Sequence, residues 1–196
     1  ITAPEVSQMF GELIGVWCVS AWQALGSPKH FVLCEIGPGR GTLMSDLLRT
    51  AAKISLEFTA AAKITMVEIS DRLTAIQRTT LGKHPLAIDW HKAFSDIAPG
   101  PIILVANELF DAIPSRQYVK VKGRFVERMI SIDADDNLVF AAGSGSIDPA
   151  LLPAGSDIAP AASIFETAPA RNALMQEIAA RIRQVTGAAL LFDYGH

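Results

Sequence analysis

The sequence is poor in charged residues and in cysteine. Only 19% of its 196 residues are charged, and the formal net charge at pH 7 is −3. A nucleic-acid-binding surface needs clustered Lys and Arg, so we expect no nucleic-acid partner. The chain holds two cysteines, Cys18 and Cys34. We expect both to be buried, reduced thiols, which indicates a reducing compartment.

Long apolar runs and metal-ligand patterns are also absent from the sequence. No run approaches the ~18 uninterrupted apolar residues of a membrane helix, so we expect no membrane span. The histidines show no metal-ligand spacing with one another or with the cysteines, and we therefore expect no metal. The chain is 50% apolar, enough for a sizeable core. We expect a single domain over residues 1–196, truncated at both ends, and the oligomeric state is left open.

The stretch 31–43 is the most informative part of the chain. An apolar run leads into Gly37, Gly39 and Gly41, and a helical pattern follows from Thr42. This order predicts the strand, tight turn and helix that open a nucleotide-binding α/β sheet. The dinucleotide pattern G-x-G-x-x-G/A fails at Thr42. Glu35 would repel a pyrophosphate but suits a ligand with an ammonium group, and the turn resembles the first motif of class I S-adenosylmethionine (SAM) methyltransferases. The alternative is a glycine-rich turn without a ligand.

Two further predicted strands place polar residues near the same ligand. The second strand, 63–70, carries Glu68, and an acid at this position of a doubly wound sheet binds ribose hydroxyls. The alternative is that Glu68 caps or flanks the helix predicted over 71–81. The third strand, 87–91, brings Asp89 and Trp90 to where an adenine would lie. A partly exposed structural tryptophan is the alternative there.

The stretch 101–114 is the second informative region. A fully apolar strand, typical of a sheet buried on both faces, breaks into Asn107, Glu108 and Asp111. Ligands of open α/β sheets bind at the carboxyl ends of the strands, so we assign these three residues to a ligand site. The alternative is helix capping by Asn107 or Asp111.

The strands alternate with helices, which predicts an α/β fold with a doubly wound, mostly parallel sheet. Polar residues then converge along one rim of the sheet, and they are Glu35, Glu68, Asp89, Asn107, Glu108 and Asp193. An acidic rim favours a cationic or hydroxylated ligand over a phosphate-rich one. An NAD(P)-dependent oxidoreductase is therefore the less favoured alternative.

Other segments are predicted with less bearing on the site. One helix is expected from a capping box at Thr2 to about Leu25, with an apolar stripe formed by Met9, Phe10, Leu13, Ile14, Trp17 and Ala21. Residues 51–62 are expected to form a helix end and a loop, 116–141 an inserted β meander, and 143–163 a loop. A helix starting at 167–169 is expected to end with Gly187 as its C-cap, before a fifth strand over 188–195.

Five blocks of the chain are similar to signature blocks of the MidA-like SAM-dependent methyltransferases, and they occur in the same order. The blocks are 4–15, 35–43, 67–70, 106–117 and 192–195. This family includes the mitochondrial arginine methyltransferase of complex I assembly. The resemblance implies SAM as cofactor and methyl transfer to an arginine of a protein, of the respiratory complex I subunit type. A non-catalytic SAM-binding assembly factor is the alternative. We expect the bacterial cytoplasm as the location, with the mitochondrial matrix as the alternative.

The predicted roles of the site residues follow from these arguments. Glu108 and Asp111 would orient a guanidinium, and Asn107 would place the attacking nitrogen. The residues assigned to the cofactor are Glu35, Gly37, Pro38, Gly39, Gly41, Thr42, Glu68, Ile69, Asp89, Trp90 and Asn107. Those assigned to the substrate are Gln8, Glu12, Phe110, Asp193 and Tyr194.

Overall fold

The computed structural model describes residues 2–194. Its elements in chain order are α1 (Ala3–Val6), α2 (Gln8–Ala24), β1 (Phe31–Ile36), α3 (Thr42–Ile54), α4 (Leu56–Ala61), β2 (Ala62–Val67), α5 (Asp71–Leu81), β3 (Ile88–His91), β4 (Ile102–Asn107), β5 (Arg116–Val121), β6 (Arg124–Ile132), β7 (Leu138–Ser146), β8 (Ile164–Thr167), α6 (Pro169–Val185) and β9 (Gly187–Phe192). Short 3₁₀ helices lie at Phe94–Asp96 and Pro149–Leu151.

The described residues form two compact units. The first unit contains the residues up to Ala112 and those from Leu174 onward, and the second unit is Ile113–Ala173. The second unit is larger than the predicted insertion at 116–141. The assignment of the chain to a single domain stays a prediction.

The first unit is built on a parallel sheet with the strand order β3-β2-β1-β4-β9. Alternate residues of β1 belong to two apolar clusters. Leu33 packs in a cluster with residues of α2 and α3, whereas Val32 and Cys34 pack in a cluster that includes Ile178 of α6. Because side chains of a strand alternate between its faces, helices cover both faces of this sheet. The predicted α/β class with a mostly parallel sheet is confirmed.

The helix predicted over 2–25 is wrong in two respects. It is interrupted at Ser7, which has extended backbone angles and whose hydroxyl accepts a hydrogen bond from the Met9 N–H group. Thr2 makes no side-chain capping bond. A serine that bonds the backbone two residues ahead favours a new helix start over a continued helix.

The apolar stripe predicted for this helix is confirmed for Ile14, which is buried, and for Phe10, Trp17 and Ala21, which pack against the same cluster, but it is wrong for Met9 and Leu13. Met9 and Leu13 are 64% and 62% exposed, whereas the buried side chains of α2 are those of Ile14, Cys18, Val19 and Trp22. A Cβ atom at Gly11 would lie 2.6 Å from Asp46 Cβ, and one at Gly15 would lie 3.0 Å from the Leu47 carbonyl oxygen. Close approach of α2 to α3 through the two glycines therefore sets which side of α2 is buried.

Three other boundaries differ from the sequence-based expectation. Residues 56–61 form a helix, α4, whose N-terminus is capped by the Ser55 hydroxyl. Gly187 begins β9, and the left-handed turn residue before it is Thr186, with φ of 64°. Strand β9 ends at Phe192, and the predicted strand residue Gly195 lies outside the described residues.

The second unit contains an antiparallel sheet with the strand order β7-β6-β5-β8. Its buried apolar residues are Tyr118, Phe125 and Ile147. The region predicted as a loop over 143–163 contains the end of β7, residues 143–146, and the 3₁₀ helix at Pro149–Leu151. The ammonium group of Lys120, which is 7% exposed, donates hydrogen bonds to the carbonyl oxygens of Ser156, Asp157 and Ala159. This lysine therefore holds the segment before β8 in place.

Within residues 2–194, the helices are too short or too polar to cross a lipid bilayer. The same residues contain no cluster of three or more His, Cys, Asp and Glu side chains suited to a metal ion. Cys18 and Cys34 are both free and buried.

Candidate active site

A cavity of about 320 Å³ lies in the first unit, where β1 and β4 end. Helix α1, the turn after β1, the start of α3 and the segment after β4 form its walls. Its lining residues are Thr2, Pro4, Glu5, Glu35, Gly37, Pro38, Gly39, Arg40, Thr42, Leu43, Asn107, Glu108, Asp111 and Ala112. The carboxyl ends of parallel strands are the usual position for ligands of such sheets.

The turn between β1 and α3 depends on its three glycines. Gly37, Gly39 and Gly41 have φ values of 66°, 52° and 81°, a region that other residues enter at a cost. The Gly37 N–H group donates to the Val67 carbonyl oxygen at 3.0 Å, which ties the turn to the end of β2. The backbone therefore forms part of the cavity wall without side chains filling the space.

Glu35 is the acidic residue of the cavity wall with the lowest exposure, 2%. Its carboxyl group accepts a hydrogen bond from the backbone of Met44 in the first turn of α3. The Oε2 atom has no hydrogen-bond partner among the described residues. Burial raises the pKa of Glu35 to about 8, against the smaller opposite effect of the Met44 bond. A buried carboxyl oxygen without a partner is a binding position for a ligand cation or donor.

The segment after β4 holds the predicted catalytic residues in an unusual backbone. Glu108 has a φ of 51°, and its N–H group donates to the Phe192 carbonyl oxygen at 2.8 Å. The Asn107 side-chain amide lies 3.4 Å from Glu108 Oε1. A non-glycine residue in the left-handed region needs support from its surroundings, and such positions are enriched at functional sites.

Asp193, the residue after β9, supports this segment. Its Oδ2 atom accepts hydrogen bonds from the N–H groups of Phe110, at 2.7 Å, and Asp111, at 3.4 Å. Asp193 therefore shapes the turn that carries Glu108 and Asp111, and it does not line the cavity. Its predicted contact with the substrate stays a prediction.

The cavity is strongly acidic. Four carboxyl groups line it, from Glu5, Glu35, Glu108 and Asp111, together with one guanidinium group, that of Arg40. Carboxylates in a shared concave wall produce a negative potential that attracts cations. The arrangement therefore suits a ligand with one or more positive charges.

A second polar network lies behind the glycine turn and centres on Gln77 of α5, which is fully buried. Its side-chain amide donates to the Gly39 carbonyl oxygen at 2.8 Å and to Glu68 Oε2 at 3.0 Å. It also accepts a hydrogen bond from Trp90 Nε1 at 3.0 Å. One side chain thus connects the glycine turn, the end of β2 and β3. We did not predict Gln77 from the sequence, although a glutamine between Leu73 and Leu81 on an apolar helix face was a usable signal.

Over residues 13–196, the sequence matches the model of a family described as "Putative S-adenosyl-L-methionine-dependent methyltransferase". The chain belongs to this family. Curated relatives include the mitochondrial protein arginine methyltransferase NDUFAF7 of Mus musculus, 35% identical, and that of Homo sapiens, 33% identical, both matched over 100% of this chain. The match covers 50% and 49% of those proteins, so the chain spans about half of their length.

Solved structures agree with this family assignment. A protein from Burkholderia thailandensis bound to S-adenosyl-homocysteine superimposes with a TM-score of 0.74 at 28% identity, covering 100% of this chain and 49% of that one. A native structure from the same organism gives a TM-score of 0.76 at 27% identity, covering 100% and 51%. The class I methyltransferase fold expected from the sequence is therefore confirmed.

The structure brings most of the predicted turn and catalytic residues together in one cavity. Of the residues assigned to the cofactor, Glu35, Gly37, Pro38, Gly39, Thr42 and Asn107 line it, as do Glu108 and Asp111. Gly41 is the N-cap of α3 behind the wall. The lining residues Thr2, Pro4, Glu5, Arg40, Leu43 and Ala112 were not predicted as site residues.

The remaining residues assigned to the cofactor lie outside this cavity. Glu68 is 7% exposed and accepts hydrogen bonds from the Ser70 N–H group and from Gln77, whereas Ile69 is 82% exposed. Asp89 is the second residue of β3 and forms an ion pair with Lys63 at 3.0 Å. The expectation that Asp89 ends its strand is therefore wrong. Whether Asp89 or Trp90 contacts an adenine stays a prediction.

The residues assigned to the substrate are also absent from the cavity lining. Gln8 donates to Glu12 Oε1 at 2.7 Å, and the same oxygen pairs with Arg49 at 3.0 Å. Phe110 is half-buried against the apolar cluster that contains Ile178. Tyr194 is 74% exposed. Their roles toward a substrate stay predictions.

Proposed function

We propose that this protein transfers the methyl group of SAM to a guanidinium nitrogen of an arginine in another protein. The observation that carries the proposal is the acidic cavity, which is lined by Glu35, whose Oε2 atom has no partner within residues 2–194, and by the carboxyl groups of Glu108 and Asp111. Membership of a SAM-dependent methyltransferase family and similarity to protein arginine methyltransferases support it.

The residues of the glycine turn fit the amino-acid end of SAM. Glu35 offers an unpaired oxygen to an ammonium group, and the backbone of Gly37 and Gly39 permits close approach of a ligand. We propose that Glu68 binds the ribose diol; its Oε2 atom accepts a hydrogen bond from Gln77, which fixes its orientation. SAM supplies an electrophilic methyl group, so the protein contributes binding, orientation and electrostatics.

The acceptor end of the cavity suits a guanidinium. Guanidinium is a weak nucleophile because its lone pairs are delocalised, and carboxylates that bind it in a fixed orientation keep positive charge on the nitrogens away from the attack. Glu108 and Asp111 provide such carboxylates. The left-handed backbone at Glu108 and the two hydrogen bonds that Asp193 accepts from the Phe110 and Asp111 N–H groups fix the positions of both carboxylates.

The test is the Glu108→Gln variant, which keeps the shape of the side chain and removes its charge. We expect S-adenosyl-homocysteine to bind with unchanged affinity in calorimetry, while methyl transfer to an arginine-containing protein falls by about 100-fold or more. Glu57→Gln, which removes an exposed charge in α4, is the matched control and should keep full activity. Lost affinity for S-adenosyl-homocysteine in Glu108→Gln would instead assign Glu108 to cofactor binding, and retained turnover would remove it from the mechanism.

We infer the acceptor class from the same resemblance. A subunit of respiratory complex I is the proposed substrate, in the mitochondrial matrix or, for a bacterial protein, in the cytoplasm. Mass spectrometry of complex I subunits after incubation with the protein and SAM should reveal methylated arginine. Methylation of lysine alone, or of no subunit, would contradict the proposed acceptor.

A further inference from the structure

The hairpin formed by β6 and β7 exposes a continuous apolar patch. Ile130 pairs with Phe140 and Ile132 pairs with Leu138 across the two strands. Paired residues of antiparallel strands point to the same face, and residues two apart share that face, so the four side chains adjoin one another. Their exposures are 66%, 64%, 64% and 76% for Ile130, Phe140, Ile132 and Leu138. Contiguous apolar surface of this kind marks an interaction site.

Strand β7 is also an edge with which no strand of the described residues, 2–194, pairs on the outer side. It is the terminal strand of the sheet β7-β6-β5-β8, and its nine residues, LVFAAGSGS, include no charged residue and no proline. Edge strands normally carry such residues, because the free N–H and C=O groups of an open edge bind other strands. The register of β7 with β6 is regular from Leu138 to Ala142, and the irregularity lies beyond it, between Val126 and Arg128 of β6. The residues Leu138–Ala142 of β7 therefore have the regular strand geometry that pairing with another strand requires.

The charges around the hairpin are arranged to favour an identical partner. The turn between β6 and β7 carries Asp133, Asp135 and Asp136, whereas Arg128 lies at the other end of the patch, with its guanidinium carbon 3.4 Å from the centre of the Phe140 ring. If β7 pairs antiparallel with a second β7, the acidic turn of one copy runs toward the Arg128 end of the other. Opposite charges then meet twice, related by a two-fold axis.

We propose that a second copy of this chain docks on the hairpin, with β7 of one copy hydrogen-bonded antiparallel to β7 of the other, so that the two apolar patches adjoin side by side on one continuous sheet. With about two-thirds of each side chain exposed, the patch offers on the order of 400 Å² per copy. Two patches give about 800 Å², and strand pairing covers only the part next to the seam, so the interface lies below the roughly 1,200–2,000 Å² of stable specific interfaces. The dimer should therefore dissociate in the micromolar range. This proposal does not depend on the proposed methyl transfer.

The experiment measures the mass of the full chain by sedimentation equilibrium from about 1 to 200 µM, a range that brackets micromolar dissociation. The wild-type protein should pass from monomer to dimer. Phe140→Lys should raise the dissociation constant by at least about tenfold, because it places a charge in the patch on each copy. Ile158→Lys is the matched control, since Ile158 is 84% exposed in the same unit but outside the hairpin, and it should leave the dimer intact.

Hydrogen exchange separates strand pairing from other association. The amides of β7 should exchange more slowly at high than at low protein concentration, whereas those of β8, the opposite edge of the same sheet, should not change. A protein that stays monomeric at the highest concentration overturns the proposal. So does a dimer that Phe140→Lys does not weaken, or one in which β7 exchange is independent of concentration.

Discussion

Strands β1 and β7 have similarly apolar starts, FVLC and LVFA, but opposite environments. All six residues of β1 are buried, whereas no residue of β7 is buried. Strand β1 lies between two parallel neighbours with helices over both faces of its sheet, and β7 is an edge of the antiparallel sheet in the second unit. An apolar strand therefore indicates that its side chains will be buried against other groups. It does not indicate whether those groups belong to the same chain.

The largest expected effect comes from truncating one leucine in each sheet. Leu104 is fully buried, so Leu104→Ala should lower the free energy of unfolding by about 3 kcal/mol through lost burial and the cavity left behind. Leu138 is 76% exposed, and Leu138→Ala should change it by less than about 0.5 kcal/mol. Urea denaturation at low protein concentration, where the chain is monomeric, measures both. Equal losses would show that β7 is covered within the monomer.

The second prediction concerns Lys120, the buried cation of the second unit. Lys120→Met keeps the aliphatic part of the side chain but leaves three carbonyl oxygens without their donor, so it should cost about 1–3 kcal/mol. We also expect faster cleavage between residues 153 and 162 in limited proteolysis. Lys122→Met, at an exposed neighbouring position, is the control. Unchanged cleavage would mean that other contacts hold this segment.

The third prediction follows from the pKa of Glu35, which is raised to about 8 from the ordinary value of 4.5. Glu35 in the folded protein then binds more protons than in the unfolded chain between these values, so its contribution to stability is greatest below pH 4.5 and falls as the pH rises toward 8. The slope contributed by Glu35 is at most about 1.4 kcal/mol per pH unit. Glu35→Gln should flatten the fall of the melting temperature between pH 5 and 8. If the melting temperature of Glu35→Gln falls with pH as steeply as that of the wild-type protein, the group that loses a proton in this range is not Glu35.

Glu35 also makes a prediction for the cofactor. If its carboxylate binds the ammonium group of SAM, binding below pH 8 must release a proton, because the free group is largely protonated there. Calorimetry of S-adenosyl-homocysteine at pH 7 in buffers of different ionisation enthalpy should detect this release. Glu35→Gln should abolish it, and a wild-type protein without proton release would contradict the assignment.

The smallest expected effect is that of Gln77, which acts on a ligand only through its neighbours. Gln77→Leu removes the bonds to Gly39 and Glu68, and we expect a loss of about 1 kcal/mol in binding of S-adenosyl-homocysteine, or about fivefold in affinity. Gln23→Leu, at an exposed site of α2, is the control. Lower melting temperature with unchanged affinity would show that Gln77 serves the fold alone.

Local patterns were sufficient for the regular parts of the fold and the centre of the site. Apolar runs bounded by turn residues identified the five strands of the parallel sheet, and the spacing of Gly37, Gly39 and Gly41 identified the turn that lines the cavity. Asn107, Glu108 and Asp111 were found because polar residues directly after a buried strand must lie at its carboxyl end. The expectation that Asp89 lies at a carboxyl end failed, because Asp89 is the second of the four residues of β3 and does not follow the strand.

Long-range contacts decided what the patterns could not. The buried side of α2 depends on Gly11 and Gly15 meeting α3, and its residues alone do not specify that contact. The role of Gln77 depends on three partners from separate segments. Glu5 lines the cavity because α1 and the glycine turn form walls of the same cavity within the first unit.

The sequence by itself thus determined the α/β class and the acidic strand ends of the site, since these follow from local periodicity, glycine conformation and residue type. The methyltransferase family followed from the resemblance of five sequence blocks. The tertiary structure alone decided that Glu35 keeps one carboxyl oxygen unpaired in the cavity wall and that the β7 edge is open. Both depend on which groups meet in space, because burial and hydrogen bonding are properties of neighbours that are distant along the chain.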